Sequence, residues 1–349
     1  MSSNSTEDFD IYLGQYDWPE GFRVEHGESG MNNTTRMVRS GSQRYVLRVY
    51  NNHQDMDKVR VEHAILSALG GSGMEVRVPE PVLNRDLDTV TCGPDGKLAS
   101  LFRFIDGQRP GIGNERQVLS LGQAAGKLTL ALSRLEPDFR QAYSPYYSLE
   151  ANYGYLDEPG LLGMAERSQV LSRLSPAISA LDEERKTLIR LYNAFERLPM
   201  QWIHGDIVFN NAVADGDKVI ALLDFEFCTQ DARAMELAVT LPELIGRNTE
   251  RSLQLIGLYC QGYGREVKLT DDEVGLLPDL MKLRMMDVYL HFAGRLQQRM
   301  DPEPIWAEQI ERAAYVCGWI NLNKEALMQL FQRHLMPVIG NSLRHEIRS

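Results

Sequence analysis

Five residues able to ligate oxygen-loving cations or move protons fall in one stretch, QWIHGDIVFNNAVADGDKVIALLDFEFCTQ, from Gln201 to Gln230: His204, Asp206, Asn211, Asp224 and Glu226. Asp206 is a carboxylate able to accept a proton, Asn211 offers an amide oxygen, and Asp224 is a second carboxylate. Hard oxygen donors in this combination suit Mg²⁺, which keeps several waters and is usually shared with substrate phosphates. The stretch can gather them locally. Asp215-Gly216 is a two-residue hairpin signal with apolar runs on both sides. Pairing outward from that turn sets Asn211–Ala214 against Asp217–Ile220. Asn211 and Asp224 then emerge at the same open end, with Asp206 just upstream.

Protein kinases use this spacing: a catalytic-loop Asp, an Asn five residues later, and an Asp opening the next loop. HGDIVFNNAV followed by LLDFEF resembles the aminoglycoside phosphotransferase and choline kinase superfamily, whose members carry an HGDxxxxN loop and then an aliphatic-D-aromatic-acid element. The resemblance runs from about Phe22 to Gln332. It implies an α+β, bilobal, protein-kinase-like fold with a small antiparallel-sheet N-lobe (1–105) and a larger, mainly helical C-lobe (106–349). It also implies phosphoryl transfer from ATP, with Mg²⁺, to a hydroxyl of a small molecule. Asp206 would orient and deprotonate that hydroxyl, Asn211 and Asp224 would hold the metal, and His204 would brace the loop. Glu226 is open between a further metal or substrate contact and a capping role. The family usually has Asp where Glu236 stands, a residue that braces the catalytic loop.

The elements that must position this site precede it. YVLRVY (45–50) alternates as a strand, and Arg48 occupies the place where kinases put a phosphate-contacting Lys paired with a helix Glu. Arg keeps the charge but presents a longer, planar fork. Lys58 is a lesser substitute. Asp55 to Gly70 has helical spacing, and Glu62 on it is the expected partner of Arg48. Gly27, Gly30, Asn32 and Thr34 belong to the candidate phosphate loop, where closely approaching backbone N–H groups and Asn or Thr side chains can hold phosphate oxygens. Taken alone this stretch reads as a plain hairpin turn; its place before YVLRVY, in the resembling family's order, favours the phosphate loop.

Phe9 to Trp18 suggests a short helix ended by Pro19, and the stretch from Phe22 two or three antiparallel strands. Val78 to Val82 suggests a further strand, and Thr89 to Phe104 a hairpin around Gly93-Pro94-Asp95-Gly96. LFRFIDG (101–107) resembles the hinge that meets adenine. Residues 117–135 predict a long helix. Residues 139–160 predict a loop insertion near the substrate, and 180–198 a further helix. In LPDLMKLRMMDVYLHFAGRLQQR, Asp287, Tyr289, His291 and Arg295 are candidates for a substrate pocket, although their ordinary helical spacing favours packing and surface positions.

The totals exclude other classes. A chain of 349 residues with formal charge −11 lacks the basic balance of nucleic-acid binders, and acidity is compatible with a cationic substrate. Four widely spaced cysteines form no CxxC pair, so neither a disulfide framework nor a metal site follows. The polar opening MSSNSTEDFD and the lack of a long apolar run point to a cytoplasmic protein with no membrane partner, acting as a monomer or homodimer. Within the resembling superfamily the pattern is closest to homoserine-kinase-like members, with aminoglycoside and choline or ethanolamine kinases next. The alternative is a catalytically degenerate kinase-fold binding protein, for which Arg48 in place of Lys and the sparse glycine loop argue.

Overall fold

The computed structural model describes residues 9–25, 33–51, 55–135 and 143–337. The N-terminal part is an antiparallel sheet of β1 (Arg23–Glu25), β2 (Asn33–Ser40), β3 (Gln43–Tyr50), β4 (Thr91–Cys92) and β5 (Leu98–Arg103), in the order β1-β2-β3-β5-β4. Its strands alternate, so side chains divide between two faces. Val38, Leu47, Val49 and Leu101 pack with Tyr12, Leu13 and Tyr16 from the N-terminal segment. The helix Met56–Gly70 starts where the Asp55 carboxylate caps the Asp57 N–H, and it carries Glu62 toward β3. The sheet therefore finds the cover that a face of this kind needs.

Most of the remainder is helical. Helix Glu115–Leu132 lies against helix Thr249–Tyr263 closely enough that a Cβ at Gly122 would stand 2.1 Å from the Tyr259 carbonyl oxygen, and one at Gly262 would stand 2.1 Å from that of Leu119. Only glycine fits at either crossing point. In the chain between these helices come two short antiparallel pairs: β6 (Met200–Ile203) with β9 (Thr229–Ala232), and the hairpin β7 (Ala212–Asp215) with β8 (Lys218–Leu222). Helix Asp271–Gln297 begins at a Thr270/Glu273 capping box and runs through the core. The architecture is the expected α+β, bilobal one. Two backbone tethers join the sheet-rich part to the β7–β8 hairpin: Arg77 with Ile220 and Leu222, and Gln108 with Ala214.

Three local expectations are corrected. The first helix covers only Asp10–Leu13 and stops at Gly14, well before Pro19. Residues 78–82 form no strand; Pro81 makes a single bridge to Phe102, since prolines at 79 and 81 remove ladder donors. The β7–β8 turn centres on Gly216-Asp217, with Asp215 already paired to Lys218 and a bulge at Val213/Ala214. Gly216 has φ +56°, while Asp217 is drawn out by Asn114 and Arg116 at the start of helix Glu115–Leu132. The bulge shifts the register so that Ala212 meets Leu222. The Leu223 N–H still donates to the Asn211 carbonyl at 2.7 Å, so both site segments leave the hairpin together.

Candidate active site

β6 delivers the loop His204-Gly205-Asp206. Gly205 has φ +77°, a conformation that only glycine adopts cheaply. Glu236 is fully buried and accepts from the His204 N–H at 3.0 Å and the Gly205 N–H at 2.9 Å. The expected brace therefore reaches the loop with Glu in place of Asp. Burial raises its pKa, opposed by His204 and the two N–H groups. His204 Nε2 donates to the Leu223 carbonyl at 2.9 Å, and Nδ1 accepts from the Asp206 N–H at 3.1 Å. One imidazole thus ties the loop to the segment that carries Asp224.

Both carboxylate oxygens of Asp206 are held. Asn211 Nδ2 donates to Oδ2 at 2.9 Å, and Arg284 Nη2 donates to Oδ1 at 2.6 Å. Each oxygen retains a further lone pair, so a substrate hydroxyl can still donate to this carboxylate. With Nδ2 of Asn211 committed, its amide oxygen is the atom left for a cation.

Asp224 takes a left-handed backbone, φ 66° and ψ 67°, a conformation uncommon outside glycine and one that gathers at functional sites. Arg48 bridges it to Glu62: Nη2 lies 3.1 Å from Asp224 Oδ1, and Nη1 lies 3.1 Å from Glu62 Oε1. Burial works against the Arg48 charge, but Asp224 and Glu62 outweigh it and raise its pKa. Burial lifts Glu62 to about 7 against the pull of Arg48. The Arg48–Asp224 approach lacks hydrogen-bond alignment, leaving Asp224 Oδ1 buried without a donor. An orphaned carboxylate oxygen is a fitting ligand for a divalent cation. Among the described residues no three His, Cys, Asp or Glu side chains form a metal cage.

Gly27, Gly30 and Asn32 of the expected phosphate loop lie outside the described residues. Thr34 is in β2, opposite Val49, with its hydroxyl accepting from Asn51 Nδ2 at 3.0 Å. Its neighbour Asn33 reaches the site instead: Nδ2 donates to Glu226 Oε2 at 2.7 Å in a buried contact, joining the sheet to the Asp224 turn. Lys58 lies 4.3 Å over the Tyr143 ring.

A cavity of about 370 Å³ reaches the catalytic loop at Tyr146, whose hydroxyl bonds to Gly205. Tyr143, Tyr146, Tyr153 and Phe227 supply aromatic walls, and Asp287, His291 and Arg295 line the side formed by helix Asp271–Gln297. Three of the four pocket candidates named from sequence therefore face it. Tyr289 does not; it is buried and stacked on Trp306. The Tyr146 hydroxyl donates to the Gly205 carbonyl at 2.7 Å and accepts from Arg284 Nη1 at 2.9 Å. Asp231 fixes the Tyr146 backbone N–H, and burial brings its carboxyl up to about 7.

Sequence reasoning did not single out Arg284 or Tyr146, and it placed Asn33 only within the candidate phosphate stretch. A cation inside the apolar run LMKLRMMDVYL is a signal, and Arg284, Asp287, His291 and Arg295 share one helical face. The same run holds Lys282, buried in a separate cluster with Glu184 and Asp279, so the run alone does not choose between them.

A base-like carboxylate, an amide oxygen and an orphaned carboxylate meeting under an Arg–Glu pair define a kinase-type phosphoryl-transfer site. The model of the phosphotransferase enzyme family matches residues 24–275, and the chain belongs to that family. It is a small-molecule kinase with an alcohol acceptor. It is 23% identical over 339 residues to the homoserine kinase of Methylobacillus flagellatus, covering 91% of this chain and 97% of that one. It is 26% identical over 305 residues to the homoserine kinase of a Bradyrhizobium species, covering 83% and 87%. Among solved structures, a microcompartment-associated aminopropanol kinase superposes with TM-score 0.67 at 18% identity, covering 91% of this chain and 97% of that one. An amicoumacin kinase solved with AMP-PNP and Ca²⁺ superposes with TM-score 0.63 at 15% identity, covering 89% and 93%. No helix among the described residues is long and apolar enough to cross a membrane.

Proposed function

We propose that the protein uses ATP and Mg²⁺ to phosphorylate a hydroxyl of a small amine-bearing alcohol. The observation that carries this reading is the meeting of Asp206, Asn211 and Asp224 at one end of the β7–β8 hairpin, with Arg48 and Glu62 above them. Residues 1–105 would form the nucleotide-binding lobe and 106–349 the catalytic and acceptor lobe. Homoserine and aminopropanol, the acceptors named for the relatives, both carry an amine. A cytoplasmic location suits a consumer of ATP.

In this reading Asp206 accepts the hydrogen bond of the acceptor hydroxyl and aims its oxygen at the γ-phosphorus. The new O–P bond forms as the bond to the β-phosphate oxygen breaks, and the hydroxyl proton passes to Asp206. The Asn211 amide oxygen and the Asp224 carboxylate would hold Mg²⁺, which would supply neutralisation of phosphate charge. Arg48, steadied by Glu62, meets the phosphates from the sheet side, and the Gly27–Thr34 segment is the candidate phosphate loop. Positioning and charge neutralisation supply most of the catalysis in such reactions. A loose transition state needs little help from a strong base, so a carboxylate paired with arginine suffices.

The test is ADP release with Mg²⁺·ATP across homoserine, aminopropanol, ethanolamine, choline and an aminoglycoside, for wild type and Asp206→Asn. Acceptor-dependent ADP release lost in the variant is expected. Absence of acceptor-dependent release, together with no thermal shift by Mg²⁺·ATP, would instead favour a degenerate binding protein.

A further inference from the structure

Resting on the phosphotransferase reading, we propose that Asp287 anchors the substrate's ammonium group and that the acceptor is a short, singly cationic amino alcohol without a carboxylate. The argument is one of charge inventory. Asp287 lines the cavity, with Oδ1 accepting from the Tyr153 hydroxyl at 2.7 Å. Its Oδ2 lies 3.9 Å from Arg284 Nη1, beyond hydrogen-bond reach. Arg284 is instead committed to Asp206 and Tyr146.

Arg295, the other guanidinium that lines the cavity among the described residues, is engaged as well. Arg295 directs Nε and Nη2 to the two carboxylate oxygens of Asp301. Burial pushes the His291 pKa down, which favours the neutral ring. Lys58 lies over Tyr143. Among the described residues, a carboxylate entering here would meet Asp287 with no uncommitted guanidinium to receive it, at the cost of an unpaired buried charge. An ammonium meets Asp287 and aromatic faces, surroundings that stabilise cations.

Length follows from the same geometry. A single guanidinium spans Asp206 and Asp287, which limits their facing oxygens to roughly 9 Å apart, about the reach of a two- or three-carbon amino alcohol plus a hydrogen bond of about 2.8 Å at each end. A cavity of about 370 Å³ sits at the small end of ligand sites, which run from roughly 300 to 1,000 Å³.

The experiment compares kcat/KM for 1-amino-2-propanol, ethanolamine and L-homoserine in wild type, Asp287→Asn and Asp301→Ala, with Tm checked for each. Wild type is expected to prefer an amino alcohol over homoserine by about tenfold or more. Asp287→Asn should raise the amino-alcohol KM by about tenfold or more, with a smaller change in kcat and an unchanged Mg²⁺·ATP thermal shift. Asp301→Ala, which releases Arg295, should move the ratio toward homoserine. If Asp287→Asn fails to fold, Asp287→Glu and the Asp301→Ala ratio carry the test. Preference for homoserine, or indifference to Asp287, overturns the assignment and turns attention to Lys58 as a carboxylate partner. Turnover of none of the three, with the Mg²⁺·ATP shift intact, also overturns it. Loss of that shift in wild type sinks the phosphotransferase reading itself.

Discussion

Arg284 Nη2 lies 2.6 Å from Asp206 Oδ1 across 78 residues of sequence, so the acceptor side of the candidate base is set by a helix remote from its own loop. HGDIVFNNAV contains no Lys or Arg. The positive charge beside Asp206 comes entirely from outside that segment. This pairing and the Asn211 contact leave Asp206 oriented, with a further lone pair on each carboxylate oxygen.

Asp206→Asn keeps the shape but replaces an acceptor oxygen with an NH₂ that faces either Arg284 or the Asn211 amide. Turnover is expected to fall by roughly two decades or more, while Mg²⁺·ATP still raises the melting temperature. Unchanged turnover would remove Asp206 from the reaction.

Asp224→Ala deletes the orphaned oxygen and one arm of the Arg48 bridge. Saturating Mg²⁺·ATP at about a hundred times its Kd stabilises a folded protein by about 2.7 kcal/mol. That shift should be present in wild type and lost in the variant. An equal shift in both proteins would place the metal elsewhere.

Arg48→Lys tests the fork. A guanidinium can engage Glu62 and Asp224 together, whereas an ammonium is a compact point charge on a shorter stem. Loss of one charged hydrogen bond, about 1.5 kcal/mol, corresponds to roughly a tenfold rise in the KM for ATP. Steady-state kinetics with ATP varied would check this; improved ATP use would mean that Arg48 is a defect and not an adapted contact.

Glu62 also predicts a pH effect on stability. Its folded pKa, about 7, stands above its ordinary 4.5, so the native state binds the extra proton between those values. The contribution is full below about pH 4.5 and is lost as pH rises through about 7, with a slope of at most about 1.4 kcal/mol per pH unit for one proton. Melting of wild type relative to Glu62→Gln should decline across that window. A difference that rises with pH would mean that Arg48 dominates the pair.

Glu236→Ala should leave the buried His204 and Gly205 N–H groups without an acceptor and destabilise the protein by about 2–5 kcal/mol. Glu236→Asp, one methylene shorter, should lose less stability but reduce turnover. Denaturant unfolding and kinetics on both variants separate a brace from a packing role.

Much of the catalytic centre was legible because its residues are close in sequence. The HGDxxxxN spacing, the hairpin after it and the following Asp are local, and the hairpin tolerated a displaced turn and a bulge because Leu223 still bonds to Asn211. Arg48 and Glu62 were readable for a similar reason. A strand followed by a helix with a capping Asp leaves few ways to face one charge with the other.

The acceptor side was decided by tertiary structure. Arg284, Asp287, His291 and Arg295 share a helical face with the spacing of ordinary packing residues. They became a wall only when helix Asp271–Gln297 was laid beside the catalytic loop and the Tyr143–Tyr153 segment was folded over it. Which cation meets Asp206 depended on helix rotation: Arg284 points to the loop, while Lys282, two residues away, points to Glu184. By itself the sequence determined the candidate phosphoryl-transfer apparatus, because that chemistry demands fixed residue types at short spacing. Pocket size and the cancellation of charge around it arise from contacts between distant segments, which no local pattern encodes.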